Sequence, residues 1–169
     1  MNTLSITDYL KYANLQMAAE ALYDFNAVLN PNLEPGKDTS GALTEPNLIT
    51  GNLHASKFTT TQVELSGLTS DWIVVEHLSN TSTGFSGTLF KKESTNEYVM
   101  SFRSTEFIDD AARDNQATNA LEIKELGWAF GQIDDMQDWY ALGERGLIDG
   151  PLSVTGYSLG GYLAMRAAA

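Results

Sequence analysis

One serine in this chain stands where a nucleophile could be exposed. Gly156-Tyr157-Ser158-Leu159-Gly160 has the pattern G-x-S-x-G. A reactive serine must stand clear of a sheet on a sharp strand-to-helix turn, where its own backbone is strained. Side chains two before and two after it would collide through their Cβ atoms, so Gly156 and Gly160 are the residues such a turn requires. The backbone N–H of Leu159 would then open a helix and face the negative charge that develops on an attacked carbonyl. The spacing alone is weak, and its surroundings decide. A β-prone run, Leu152–Thr155, precedes it, and the helix-prone run 161–169 follows, with Gly161 and Ala164 small on the face that must approach a sheet. A second serine, in Gly84-Phe85-Ser86-Gly87-Thr88, lacks the glycine two residues later and sits in a strand-like run, so it is set aside. The alternative reading of Ser158 is a glycine-rich turn with no chemistry.

The elements that must position this turn are legible in outline. Ser5-Ile6-Thr7-Asp8 has capping-box spacing. After it Tyr9, Ala13, Met17, Ala21, Leu22, Phe25 and Leu29 recur at helical steps until Pro31, a stripe read as core packing. Residues 31–57 hold most of the prolines and read as a long irregular excursion, and Thr59–Leu65 as a short helix. Three strand-like runs follow, Trp72–Leu78, Phe85–Phe90 and Tyr98–Arg103, with a hairpin turn at Glu93–Asn96. Residues 104–127 lean polar and read either as part of a lid or as a plain surface loop. Trp128, Ile133, Met136, Tyr140 and Leu142 mark a second helix, broken by Gly146 and Gly150-Pro151. Strands, a helix, then strand, tight turn and helix argue for an α/β layer architecture.

Composition narrows the partners. The 169 residues carry a formal net charge of -12, which repels phosphate backbones and excludes nucleic acid as the expected partner. The same field disfavours anionic lipid surfaces and favours solubility. There is no cysteine, so disulfides, thiolate chemistry and sulfur-bound zinc are ruled out. The first residues show neither a basic start nor an apolar core of a cleavable signal, and no apolar run approaches the roughly 20 residues that span a bilayer.

With these residues in view, Val154-Thr155-Gly156-Tyr157-Ser158-Leu159-Gly160-Gly161-Tyr162-Leu163-Ala164 resembles the nucleophile elbow of the class 3 lipases. It is especially similar to the lipase domains of large, acidic, calcium-dependent repeat-bearing bacterial exoproteins. The family usually has histidine where Tyr157 stands. Tyr98-Val99-Met100-Ser101-Phe102-Arg103-Ser104-Thr105-Glu106 is similar to the family's strand ending in Phe-Arg-Gly-Thr, whose loop supplies the other oxyanion-hole donor. The resemblance runs from about Trp72 to Ala169. It implies an α/β-hydrolase-like sheet with flanking helices, Ser158 as nucleophile, and Leu159 N–H as one oxyanion donor with Thr105 as the other. Gly156, Gly160 and Ser104 would support them. Ser104 stands where the family generally has glycine, and Arg103 would anchor the loop structurally.

A serine hydroxyl needs a base to take its proton and an acid to orient that base. In α/β-hydrolases these follow the serine, acid before histidine. Only 11 residues follow Ser158, so residues 1–169 are expected to be the N-terminal portion of one such domain, with the acid and histidine absent and little or no turnover alone. His54 and His77 lie upstream, and neither is read as the base. Asp109-Asp110, Asp114, Asp134, Asp135 and Asp138 do not follow a calcium-loop pattern, so no metal site is expected; calcium would enter only through missing downstream sequence. The expected function is a carboxylic ester hydrolase of lipase or phospholipase type using a serine acyl-enzyme and no cofactor. Its partners would be a lipid or ester substrate, a lipid surface and the remainder of the hydrolase domain. The alternatives are a non-catalytic hydrolase-like module used for packing or binding, and an acyltransferase with the same elbow. Family similarity and acidity point to export without an N-terminal signal, with cytoplasmic residence as the alternative.

Overall fold

Alternating runs of apolar residues in the middle of the chain pair into a meander. A computed structural model describes residues 4–21, 41–50, 58–78, 81, 83–104, 130–141 and 146–168. Strands β2 (Trp72–Leu78), β3 (Gly87–Lys92) and β4 (Glu97–Phe102) are successive antiparallel neighbours. The β3–β4 turn falls at 93–96, as the residue types predict, and Asn96 takes the positive φ of 56° that asparagine tolerates there. A two-residue strand, β1 (Gly41–Ala42), adds to the outer side of β2. On the far side, β5 (Leu152–Gly156) runs parallel to β4, pairing Tyr98 with Leu152 and Phe102 with Gly156. The sheet order is β1-β2-β3-β4-β5.

Helices cover both faces. Helix α1 (Ile6–Ala21), the short helices α2 (Glu45–Thr50) and α3 (Thr60–Ser66), and the single turn α4 (Leu68–Asp71) belong to one side. There Leu15, Ala18, Leu48, Phe58 and Val63 bury against Trp72, Val74, Phe90 and Val99. On the other side α5 (Phe130–Tyr140) and α6 (Leu159–Ala167) pack Met136, Trp139 and Leu163 onto Phe85, Leu89, Met100 and Phe102. Phe85, Phe102 and Trp139 form a triangle of rings with centroids 5.8 to 6.3 Å apart, in tilted and edge-on arrangements that suit the ring quadrupole.

Strand β2 contains a bulge between Val74 and Glu76. Val74 packs toward α1, Val75 toward α5, and the extra residue keeps Glu76 on the α5 side, where it accepts the Trp139 indole N–H at 3.0 Å. His77 then returns to the α1 side, level with Thr88.

Three sequence expectations are corrected. The core face of α1 is Leu15, Ala18, Ala19 and Ala21 with Gln16, whereas Tyr9 is 61% exposed and Ala13 also faces outward. Of the expected stripe, Ala21 is buried and Met17 packs against that core, while Tyr9 and Ala13 fall beyond the contact. Residues 22–29 of the expected helix lie outside the described residues. Within the stretch read as irregular, 41–50 form β1 and α2, and Pro46 sits in the first turn of α2, where a missing N–H costs nothing. The third concerns Phe85 and Ser86, which precede β3 rather than begin it.

Two caps follow their sequences. Ser5 and Asp8 exchange hydrogen bonds ahead of α1, and Thr59 with Gln62 forms a capping box on α3, which ends on Gly67 in the left-handed region. No helix among the described residues is long and apolar enough to cross a membrane.

Candidate active site

Strand β5 ends at Gly156, α6 begins at Leu159, and the chain reverses between them in two residues. Ser158 carries the bend. Its φ of 54° and ψ of -120° lie in a region that residues with a side chain rarely occupy, the kind of strain that persists only when the surroundings enforce it. Its carbonyl accepts the Tyr162 amide at 3.2 Å and so starts the helix. Its hydroxyl makes no capping bond, and the residue is exposed. The Leu159 amide, first in the helix, has no intrahelical acceptor and sits at the positive end of the α6 dipole.

The two glycines are required by contact. A Cβ at Gly156 would overlap the Gly160 carbonyl group and lie 2.7 Å from the Gly161 nitrogen. A Cβ at Gly160 would overlap the Phe102 carbonyl oxygen and lie 2.8 Å from that of Arg103. The first turn of α6 therefore rests directly on the backbone where β4 ends. Because β4 and β5 are parallel, their carboxyl ends emerge side by side. The loop leaving β4 starts next to Ser158.

That loop is tied at its root. The Arg103 amide donates to the Ser86 carbonyl at 3.1 Å, and the Ser104 amide to Glu20 Oε1 at 2.8 Å. The Ser104 amide is thus committed to Glu20. Arg103 is buried, 3% exposed, which suits an anchor and not a group that meets substrate. Thr105 lies outside the described residues, as do Asp109, Asp110, Asp114 and the rest of the segment read as lid or loop.

Of the two histidines, His54 also lies outside the described residues. His77 is buried, with Nδ1 2.8 Å from Thr88 Oγ1. Burial first, and then the nearby Arg103 charge, push its pKa down to about 3, so the ring is neutral. The pairings His77–Thr88, Thr88–Ser101 and Ser101–Thr155 place it three strands from β5, roughly 14 Å away at ordinary strand spacing. It cannot take a proton from Ser158 there. Asp135 accepts hydrogen bonds from Thr81 and Thr83, while Asp134 and Asp138 are exposed on α5. No group of three metal-ligating side chains occurs among the described residues.

Comparison with solved structures bears on this arrangement. A lipase from Rhizopus microsporus var. chinensis aligns with 98% of this chain at a TM-score of 0.52 and 17% identity, over 51% of its own length. A mono- and diacylglycerol lipase from Aspergillus oryzae aligns with 98% of the chain at a TM-score of 0.50 and 18% identity, over 57% of its length. This is the α/β-hydrolase fold. The chain spans about half the length of the lipases it matches. No family model and no curated protein matches it.

Within this α/β-hydrolase sheet, two contributors went unnoticed in the sequence: Gln16 and Glu20, which reach from α1 to the end of β4. A polar pair four residues apart on the sheet side of a helix was the available signal, but the apolar stripe chosen for α1 hid it.

Proposed function

We propose that this chain carries the nucleophile-bearing half of a serine-dependent carboxylic ester hydrolase of the lipase type, with Ser158 as nucleophile. The observation that carries this reading is an exposed serine, its side chain making no capping bond, on a left-handed bend between β5 and α6 enforced by two glycines that admit no side chain. Ser158 Oγ would bond to the ester carbonyl carbon as its proton passes to a base. The Leu159 N–H, with Thr105, would hold the resulting oxyanion. Collapse would break the bond to the alcohol, which leaves with the base's proton, and water would then release the acyl group by the same steps in reverse. The base and its orienting acid would come from elsewhere in the whole protein. Acylglycerols or phospholipids are the proposed substrates, in keeping with the class 3 lipase resemblance of the elbow and with aligned structures described as lipases. The likeness to acidic bacterial exoproteins rests on the elbow residues alone.

A fluorophosphonate probe applied to the complete gene product tests this reading. Labelling confined to Ser158, and lost in Ser158→Ala, is the expected result. Silence from a folded protein that possesses a downstream acid and histidine would instead identify a hydrolase-like packing or binding module.

A further inference from the structure

Gln16 and Glu20 lie one turn apart on α1, and both turn toward the end of β4. Gln16 is only 7% exposed. Its Nε2 donates to the Phe102 carbonyl at 3.0 Å and to Glu20 Oε1 at 3.0 Å, while its Oε1 accepts the Ser101 hydroxyl. Glu20 Oε1 also accepts the Ser104 amide at 2.8 Å, a hydrogen bond strengthened by the carboxylate charge. Three successive features of the chain, the Ser101 hydroxyl, the Phe102 carbonyl and the Ser104 amide, are thus gripped by two side chains of one helix. The same Phe102 carbonyl is the surface on which Gly160 packs from α6. The peptide that launches the loop is therefore held by α1 and by the turn bearing Ser158 at once.

We infer that Gln16 and Glu20 are positioning residues that hold the end of β4, Ser101 to Ser104, against the Ser158 elbow. This inference rests on the reading of Ser158 as nucleophile. Neither side chain touches the reacting atoms. Their work is to fix the Phe102 carbonyl on which Gly160 rests, and with it the place of the Leu159 amide when charge develops on the carbonyl. By occupying the Ser104 amide, Glu20 also removes a neighbouring donor that would otherwise compete for the oxyanion with the wrong geometry. Without an acceptor at position 20, that amide is released and the loop root loses one of its ties.

The test uses the complete protein with a short-chain p-nitrophenyl ester and a trifluoromethyl ketone, which forms a tetrahedral adduct on the serine. Glu20→Ala is expected to lower kcat about 10- to 100-fold, with KM moving less than about twofold. Affinity for the ketone should fall in step with kcat. Glu20→Gln, whose side-chain oxygen still accepts the Ser104 amide, should recover most of both. If Glu20→Ala does not fold, Gln16→Met, similar in volume but without the amide, becomes the deciding variant and should show the same paired loss. Wild-type kcat and ketone affinity in whichever of the two folds would overturn the inference. So would a change in KM alone, or a loss of melting temperature with no loss of ketone affinity. Fluorophosphonate labelling separates the two levels: a wild-type protein unlabelled at Ser158 sinks both readings. Normal labelling of wild type, with equal rates in Glu20→Ala, sinks only this one.

Discussion

Replacing Gly160 by alanine adds one methyl group at the most crowded point of the elbow. That carbon would overlap the Phe102 carbonyl oxygen and stand 2.8 Å from the Arg103 carbonyl oxygen, against a floor of about 3.0 Å that real Cβ atoms respect. Both neighbours are backbone, so no side chain can swing aside. Relief requires α6 to lift from β4 by about 1 Å, against the buried anchors Leu163 and Ala164. Overpacking of this kind costs about 1–3 kcal/mol, and the upper end applies where backbone meets backbone. A gain of about 1 kcal/mol from removing a helical glycine offsets part of it, leaving a net loss near 2 kcal/mol. With an m-value of about 2 kcal/mol/M, the urea midpoint should fall by about 1 M, followed by tryptophan fluorescence. The same lift moves the Leu159 amide relative to the β4 loop, so the labelling rate at Ser158 should drop by about 100-fold. Gly161→Ala is the control. Its Cβ would sit 3.2 Å from the Gly156 carbonyl oxygen, a contact relieved by a few tenths of an ångström and set against the same helical gain, so stability should equal or slightly exceed wild type and labelling should be unchanged. A Gly160→Ala protein as stable and as rapidly labelled as Gly161→Ala would refute the claim that this contact holds the elbow to β4.

Two further outcomes follow from the geometry. His77 has a folded pKa of about 3 against an ordinary 6.5, so the unfolded chain takes up the proton first as pH falls. The contribution is complete above pH 6.5 and is lost progressively toward pH 3, at about 1.4 kcal/mol per pH unit. Urea midpoints between pH 6.5 and 5 should therefore fall in wild type and hold nearly level in His77→Gln; equal slopes would exclude His77 as the cause. At Ser158 the positive φ is a cost that glycine does not bear, so Ser158→Gly should abolish labelling and raise stability by about 1 kcal/mol, while Ser158→Ala leaves stability unchanged. Equal stability of all three proteins would mean that the bend stores no strain.

The parts that could be read in advance were those in which residue type dictates geometry. The run Trp72–Leu78 matches β2 because β-branched and aromatic residues suit a half-buried pleated strand. The glycines at 156 and 160 announced a close approach that no other residue permits. Hidden features depended on what each element meets in three dimensions. Tyr9 looked like a core residue because it shares a helical face with Ala13 and Met17, yet the sheet contacts α1 through Leu15, Gln16 and Ala18. Gln16 and Glu20 form a polar pair four residues apart, but nothing local reveals which carbonyl and amide, 86 and 84 residues further on, will seek partners there. His77 gave no sign that Thr88 and Arg103 would surround it.

The additional residue near Val75 puts the two halves of β2 out of phase. Every position after it owes its surroundings to that offset: if the seven residues alternated strictly, with no bulge, Glu76 and His77 would exchange faces. An acid would be driven into the layer beneath α1, and an imidazole would be pushed against the indole of Trp139. Deleting Val75 would instead leave Glu76 and His77 on their present faces in an unbroken ladder, so this strand can be shortened at the bulge but cannot be straightened at its present length.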